Sequence, residues 1–187
     1  VIAAYNGPSN TVVSGPEEAL NQLLAHTTSS SIKTKRLEVS HAFHSAAMKT
    51  LVPELRKTLC QINFQQPIRP FVSNVTGRQV GPEIASSDYW CDHVTSPVRF
   101  AQGMNTLATN GVRNFIELGA SSTLLSLGRQ CLKNSGLANI NNCNWWPSLR
   151  YGKNNWETIL SSLGKIYSYG YQIDWKSFYK PMGGHQI

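Results

Sequence analysis

The 187 residues are short of acidic side chains. Ten Asp and Glu stand against 17 Lys and Arg, for a net charge of +7. The excess comes from missing acids rather than from a dense basic run. No Lys/Arg tract is interleaved with aromatics in the manner of a nucleic-acid-binding strip, so nucleic acid fits poorly as a partner. The charge reads either as a solvated basic surface or as a face for an anionic partner. Cysteine is sparse as well. The four, at 60, 91, 131 and 143, include no Cys-x-x-Cys pair, and no His lies at finger spacing from any of them. They are expected as free buried thiols in a reducing cytoplasm. No apolar run is long enough to cross a bilayer as a helix, and no membrane partner is expected. The apolar start at Val1 lacks a basic leader and an initiator Met. It is expected to be an interior stretch of something longer rather than a signal peptide. A Gly-x-Ser-x-Gly nucleophile turn is also absent.

What is present is a 41% hydrophobic, ordinary globular composition with alternating strand-like and helix-like stretches. Residues 1–5 and 11–14 flank Asn6-Gly7-Pro8-Ser9-Asn10 and predict a hairpin. Pro16-Glu17-Glu18 opens a helix with Ala19, Leu20, Leu23 and Leu24 on one side. Residues 33–39 read as a returning strand. The order β-β-α-β is what remains of a ferredoxin-like unit if its first elements lie upstream. A helix is expected over about 45–61 and a strand over 70–75, with Thr76-Gly77-Arg78 as its turn. Helices are expected from Ser87 and from Pro97, the latter stopped by Gly111. A strand over 112–118 is followed by a helix carrying Leu124, Leu125, Leu127 and Leu132. Trp145 to Leu149 forms a last strand. Such alternation implies α/β architecture, with a parallel sheet covered on both faces. After residue 150 the character changes to an amphipathic helix over 155–169 and a frayed end near His185, read as a linker that packs on a neighbour. Trp145, Trp146, Trp156 and Trp175 are expected to be hydrophobic anchors.

The chemistry concentrates at Ser40-His41-Ala42-Phe43-His44-Ser45. Two histidines three apart sit between a strand-like and a helix-like run, where a scaffold can hold an imidazole still at the edge of a cleft. That is how a general base must be placed. As a metal pair they lack a third ligand.

This stretch resembles the histidine motif of acyltransferase domains of modular type I polyketide synthases. Further stretches resemble the same family in order: Ala4-Tyr5-Asn6-Gly7-Pro8 through Ser14-Gly15, Phe71-Val72-Ser73-Asn74-Val75-Thr76-Gly77, Tyr89-Trp90 with His93 and Pro97-Val98-Arg99-Phe100, Phe115-Ile116-Glu117-Leu118-Gly119, and Ser148-Leu149-Arg150 with the helix at Trp156. The resemblance implies an α/β fold: the C-terminal half of an α/β-hydrolase-like body, part of an inserted ferredoxin-like subdomain, and a helical linker. The implied boundaries are 1–39 for the small subdomain, 40–149 for the body and 150–187 for the linker.

The implied activity moves a malonyl extender from coenzyme A to a serine, and then to the phosphopantetheine thiol of an acyl carrier protein. No cofactor is expected on this chain itself. The implied partners are the upstream half carrying the serine, the carrier protein and a neighbouring ketosynthase. By resemblance His44 is the base. His93 orients it through its main-chain carbonyl. Phe43, in the malonyl-type His-Ala-Phe-His pattern, limits the space for an α-methyl. His41 is a pocket wall or a structural hydrogen bonder. Asn74 lines the pocket or is a structural amide, and Arg99 is expected at the surface or in packing. Two alternatives stand beside this: a docking or linker module built on Lys33-Thr34-Lys35-Arg36 and the trailing linker, and a pseudo-enzyme without a nucleophile.

Overall fold

A computed structural model describes residues 1–39, 41–133, 135–136 and 142–183. Ser40, the middle of the 133–144 polar stretch and the end near His185 therefore lie outside the described residues. The chain divides into two compact units, 1–112 with 127–141, and 113–126 with 142–187.

The first unit opens with the expected hairpin. β1 (Ile2–Gly7) pairs antiparallel with β2 (Asn10–Val13), and Ala3 and Ala4 turn inward. Helix α1 (Glu17–Ser29) follows, its two acids complementing the positive N-terminal end. Residues 33–39, expected as a strand, are irregular instead. No strand among the described residues pairs with them. Leu37 and Val39 are 51% and 62% exposed, so β-propensity alone has nothing to ladder against.

The helix expected over 45–61 starts as a tight 3₁₀ stretch, Ala46–Leu51, and becomes helix α2 (Val52–Leu59), with Pro53 in the first turn where its missing N–H costs nothing. β3 (Phe71–Val72) is shorter than expected and forms a small hairpin with β4 (Gln79–Val80). Its turn needs Gly77. The residue has φ +66, and a Cβ would lie 2.6 Å from Gln102.

Ser73 is fully buried beneath this turn. Its Oγ accepts from the N–H groups of Val75 and Thr76 and shares a hydrogen bond with Tyr89 Oη, 2.7 Å away on helix α3 (Ser87–Thr95). The next helix does not begin at Pro97. Val98 donates to the Ala3 carbonyl and accepts from Tyr5 N–H, both at 2.8 Å, which extends the edge of β1. Helix α4 (Phe100–Thr109) therefore starts later and packs on β1 and β3.

In the second unit β5 (Asn114–Glu117) and β6 (Asn144–Pro147) run parallel, Phe115 opposite Trp145 and Ile116 opposite Trp146. Helix α5 (Thr123–Lys133) begins in this unit and continues in the first. Buried Glu117 caps its start by accepting from Leu124 and Leu125 N–H. Helix α6 (Asn155–Ser168), capped by Asn154, packs on β6 through Ser162, whose Oγ donates to the Pro147 carbonyl at 2.7 Å. Short helix α7 (Trp175–Tyr179) is capped by Asp174. The Ser177 N–H bond holds that carboxyl below the usual carboxylate range.

The expected sheet covered on both faces is corrected in two ways. The strands among the described residues form three separate pairs, two of them antiparallel because short turns close them into hairpins. On β5, Ile116 is 54% exposed, although Trp146 beside it is buried, so the cover of the parallel pair is incomplete. The tryptophans also differ: Trp146 is buried at 4%, whereas Trp156 is 54% exposed. All four thiols are free, as expected, but Cys60 is exposed rather than buried. No helix among the described residues is long and apolar enough to cross a membrane.

Candidate functional site

The turn at residues 41–45 is closed by local bonds. Phe43 N–H donates to the His41 carbonyl at 2.9 Å. Ser45 Oγ donates to the Ala42 carbonyl at 2.6 Å and accepts from Ala47 N–H at 3.2 Å, so Ser45 both ends the turn and caps the 3₁₀ stretch. Buried Met48 anchors that stretch. Between these anchors His44 takes a left-handed backbone, φ +58. Such a conformation is uncommon for a residue with a Cβ, although histidine adopts it more readily than most.

His44 is bound to the end of α3. The last carbonyls of a helix have no partners within it and carry partial negative charge. His44 N–H donates to the Val94 carbonyl at 3.2 Å. Its Nδ1 lies 3.1 Å from the His93 carbonyl oxygen and 3.0 Å from that of Ser96. A carbonyl can only accept, so Nδ1 carries the hydrogen. In the neutral ring the lone pair is then on Nε2, the nitrogen available to take a proton. The tautomer is set without a carboxylate.

The His93 ring stands edge-on to His44, with centroids 5.8 Å apart, and beside Trp90 at 5.6 Å. Burial, and secondarily the His44 charge, push its pKa below the ordinary histidine value. The neutral form of its ring is thereby favoured.

The five residues singled out from the sequence fall into three places. His44 and His93 meet directly. His41 and Phe43 lie together at the surface, rings 5.8 Å apart, with Phe43 47% exposed. Asn74 is exposed in the β3–β4 turn. Its carbonyl accepts from Arg99 N–H at 2.8 Å, and its side chain is outside the His44 hydrogen-bond cluster. Arg99 reaches over the Tyr5 ring, 5.9 Å from its centroid. The carbonyls of Ser96 and Val94 were not legible as site groups. The one clue to them is Pro97, which biases the preceding residue to an extended conformation and so ends the helix where its carbonyls become available. A recess of about 590 Å³ at the β3–β4 turn, walled in part by Arg78 and Arg99, does not include His44. Among the described residues no cluster of three or more His, Cys, Asp or Glu could hold a metal.

Residues 1–172 match the acyl transferase domain family. Among curated proteins, the chain is 35% identical over 187 residues to the spectinabilin polyketide synthase system protein NorB of Streptomyces orinoci, covering all of this chain and 8% of that one. It is 35% identical over 196 residues to the PKS-NRPS hybrid synthetase ATPKS of Aspergillus niger, again covering all of this chain and 11% of that one. Among solved structures, the acyltransferase domain from the second module of the salinomycin polyketide synthase superposes with a TM-score of 0.85 at 33% identity, over all of this chain and 43% of that one. The chain thus spans a small fraction of the synthases it resembles and less than half of that domain.

Proposed function

The chain belongs to the acyl transferase domain family, its relatives are polyketide synthases, and from that premise we propose that it supplies the base-bearing part of a malonyl transferase within a type I polyketide synthase. The observation that carries the proposal is the hold on His44: Nδ1–H on two carbonyls at 3.1 and 3.0 Å, with Nε2 left free.

In this reading, residues 1–39 are part of a ferredoxin-like subdomain, 40–149 part of an α/β-hydrolase-like body, and 150–187 the linker that follows. The nucleophilic serine lies on a partner segment, since the 187 residues contain no Gly-x-Ser-x-Gly, and by themselves they do not turn over. His44 Nε2 takes the serine proton as the hydroxyl oxygen attacks the malonyl thioester carbon. The carbon–sulfur bond to coenzyme A breaks, and His44 returns the proton to the leaving thiolate. In the second half His44 takes the proton of the carrier's phosphopantetheine thiol. Sulfur attacks the acyl-serine, the ester bond breaks, and the serine oxygen recovers its proton. The α3 carbonyls face the ring where positive charge develops, which is the role a carboxylate plays in a serine triad.

His93 acts through its main chain together with Ser96. Phe43 and His41 flank the extender and Asn74 lines the approach. The donor is a coenzyme A thioester, and the partners are the acyl carrier protein and a neighbouring ketosynthase. The protein works in the cytoplasm.

The test is serine acylation in the complete domain. His44→Ala should slow it by about 100- to 10,000-fold, the usual worth of a general base. Ser96→Ala and His41→Ala should do far less. Equal, mild losses for His44→Ala and His41→Ala would remove His44 from this role.

A further inference from the structure

We propose that the second unit carries a binding pocket for a phosphate-class oxyanion, about 320 Å³ in volume, walled by Ser121, Ser122 and Thr123 on one side and by Arg150, Tyr151 and Lys153 on the other. The cationic wall is a single tight turn. Lys153 N–H donates to the Arg150 carbonyl at 3.2 Å, and Gly152 at φ +72 lets the chain close. Two positive side chains thus stand at the ends of one turn. Among the described residues the ion pairs engage Glu17, Glu54 and Asp88 with other partners, and neither Arg150 nor Lys153 meets a carboxylate. Among the described residues no carboxylate offsets these two charges, and a bound anion would.

The acid adjacent in sequence to the hydroxyl wall, Glu117, has its oxygens occupied by the N–H groups of Leu124 and Leu125. It neutralises the helix start, not the turn. The helix N–H groups it uses are no part of the proposed site, which rests on side-chain charge and hydroxyls. Ser121 Oγ and Thr123 Oγ1 lie 3.0 Å apart. One hydroxyl hydrogen makes that bond, which leaves the other free to point at a ligand oxygen. The two walls are tied together beforehand. Ser148 Oγ accepts from Gly119 N–H at 3.0 Å and donates to the Gly119 carbonyl at 3.2 Å, and Ser148 N–H donates to the Glu117 carbonyl at 2.9 Å.

A guanidinium fork, an ammonium and a spare hydroxyl suit a group with several acceptor oxygens and close to two negative charges, which describes phosphate or a phosphomonoester. The source is either the free ion or a terminal phosphomonoester such as that of coenzyme A.

The experiment is calorimetric titration of the whole protein with inorganic phosphate at constant chloride and without any acyl donor, so that it fails or succeeds independently of the transfer reaction. Saturable binding at one site per chain is expected, weakened about tenfold or more in Arg150→Gln and lost in the Arg150→Gln/Lys153→Gln double variant. Lys153→Arg, which keeps the charge, should retain most of it, and an unchanged thermal midpoint in each variant excludes misfolding as the cause. Competition by coenzyme A but not by its 3′-dephospho form identifies the ester as the source. Competition by neither identifies the free ion. Equal binding in the unaltered protein and in the double variant, or no saturable binding in either, overturns the proposal.

Discussion

The two units use opposite materials. In the first, His44 is held by main-chain groups: three carbonyls at the end of α3 take its two N–H donors. In the second, order comes from side-chain identity. Phe115 stacks on Trp145 with ring centroids 4.4 Å apart, Trp146 meets Tyr169 and Tyr171 edge-on, and the Glu117 carboxylate caps α5. Main-chain support tolerates a change of residue and depends on where the helix ends. Side-chain support tolerates movement poorly and substitution worse.

The sharpest break in that contrast is a pair of truncations. Trp146→Ala empties a buried ring site and should cost about 3–5 kcal/mol. Ser96→Ala, which leaves its carbonyl in place, should stay within about 0.5 kcal/mol. Denaturant unfolding of the complete domain measures both, and costs of similar size would erase the distinction.

A smaller effect is expected where the histidine turn faces outward. Phe43→Ser with His41→Tyr removes the exposed ring and reproduces the methylmalonyl-type pattern. Relative use of methylmalonyl over malonyl thioester should rise by about 10- to 200-fold, the range a methyl contact allows. An unchanged ratio in a competition assay would show that extender choice is made elsewhere.

The smallest effect tests the main-chain reading itself. His93→Ala keeps the carbonyl, so acylation near neutral pH should change by no more than about twofold. Its pH signature should be visible instead. His93 resists protonation in the folded state, so its neutral form is fully compatible with folding above its ordinary pKa of 6.5. Stability is lost as pH falls below that value, because the unfolded chain binds the proton more readily. His93→Ala should flatten this part of the stability profile between pH 7 and 5. A profile with the same slope in both proteins would mean that the His93 ring is not the group responsible.

Much of this was legible from residue patterns and some was not, for identifiable reasons. Asn6-Gly7-Pro8 marks the first hairpin and Gly111, at φ +84, the end of α4, because turn chemistry is local. The apolar spacing of Trp156, Ile159, Leu163 and Ile166 marks α6. The strand expected over 33–39 failed because pairing is not local, and among the described residues no strand pairs with Leu37 or Val39. Val98 was read as helical although its hydrogen bonds go to β1. In the site, His44 was legible from its motif, and His93, which supplies a carbonyl, only through the resemblance of the stretch Tyr89-Trp90 with His93 to the family. The carbonyls of Val94 and Ser96 leave no mark in the sequence, since every residue has one, and only Pro97 hinted at them.

The fixing of His44 to α3 makes the imidazole a passenger of that helix. Its other end is clamped away from the turn: Tyr89 by the buried Ser73 hydroxyl, Asp88 by Arg56 of α2, and the first turn by Ser86. The helix is thus a short lever, with the His44 ring held at one end and the side-chain clamps at the other. A disturbance under the β3–β4 hairpin, such as the loss of the Ser73 hydroxyl, is expected to reach Nε2 as a change of aim, with the groups around the ring still in place.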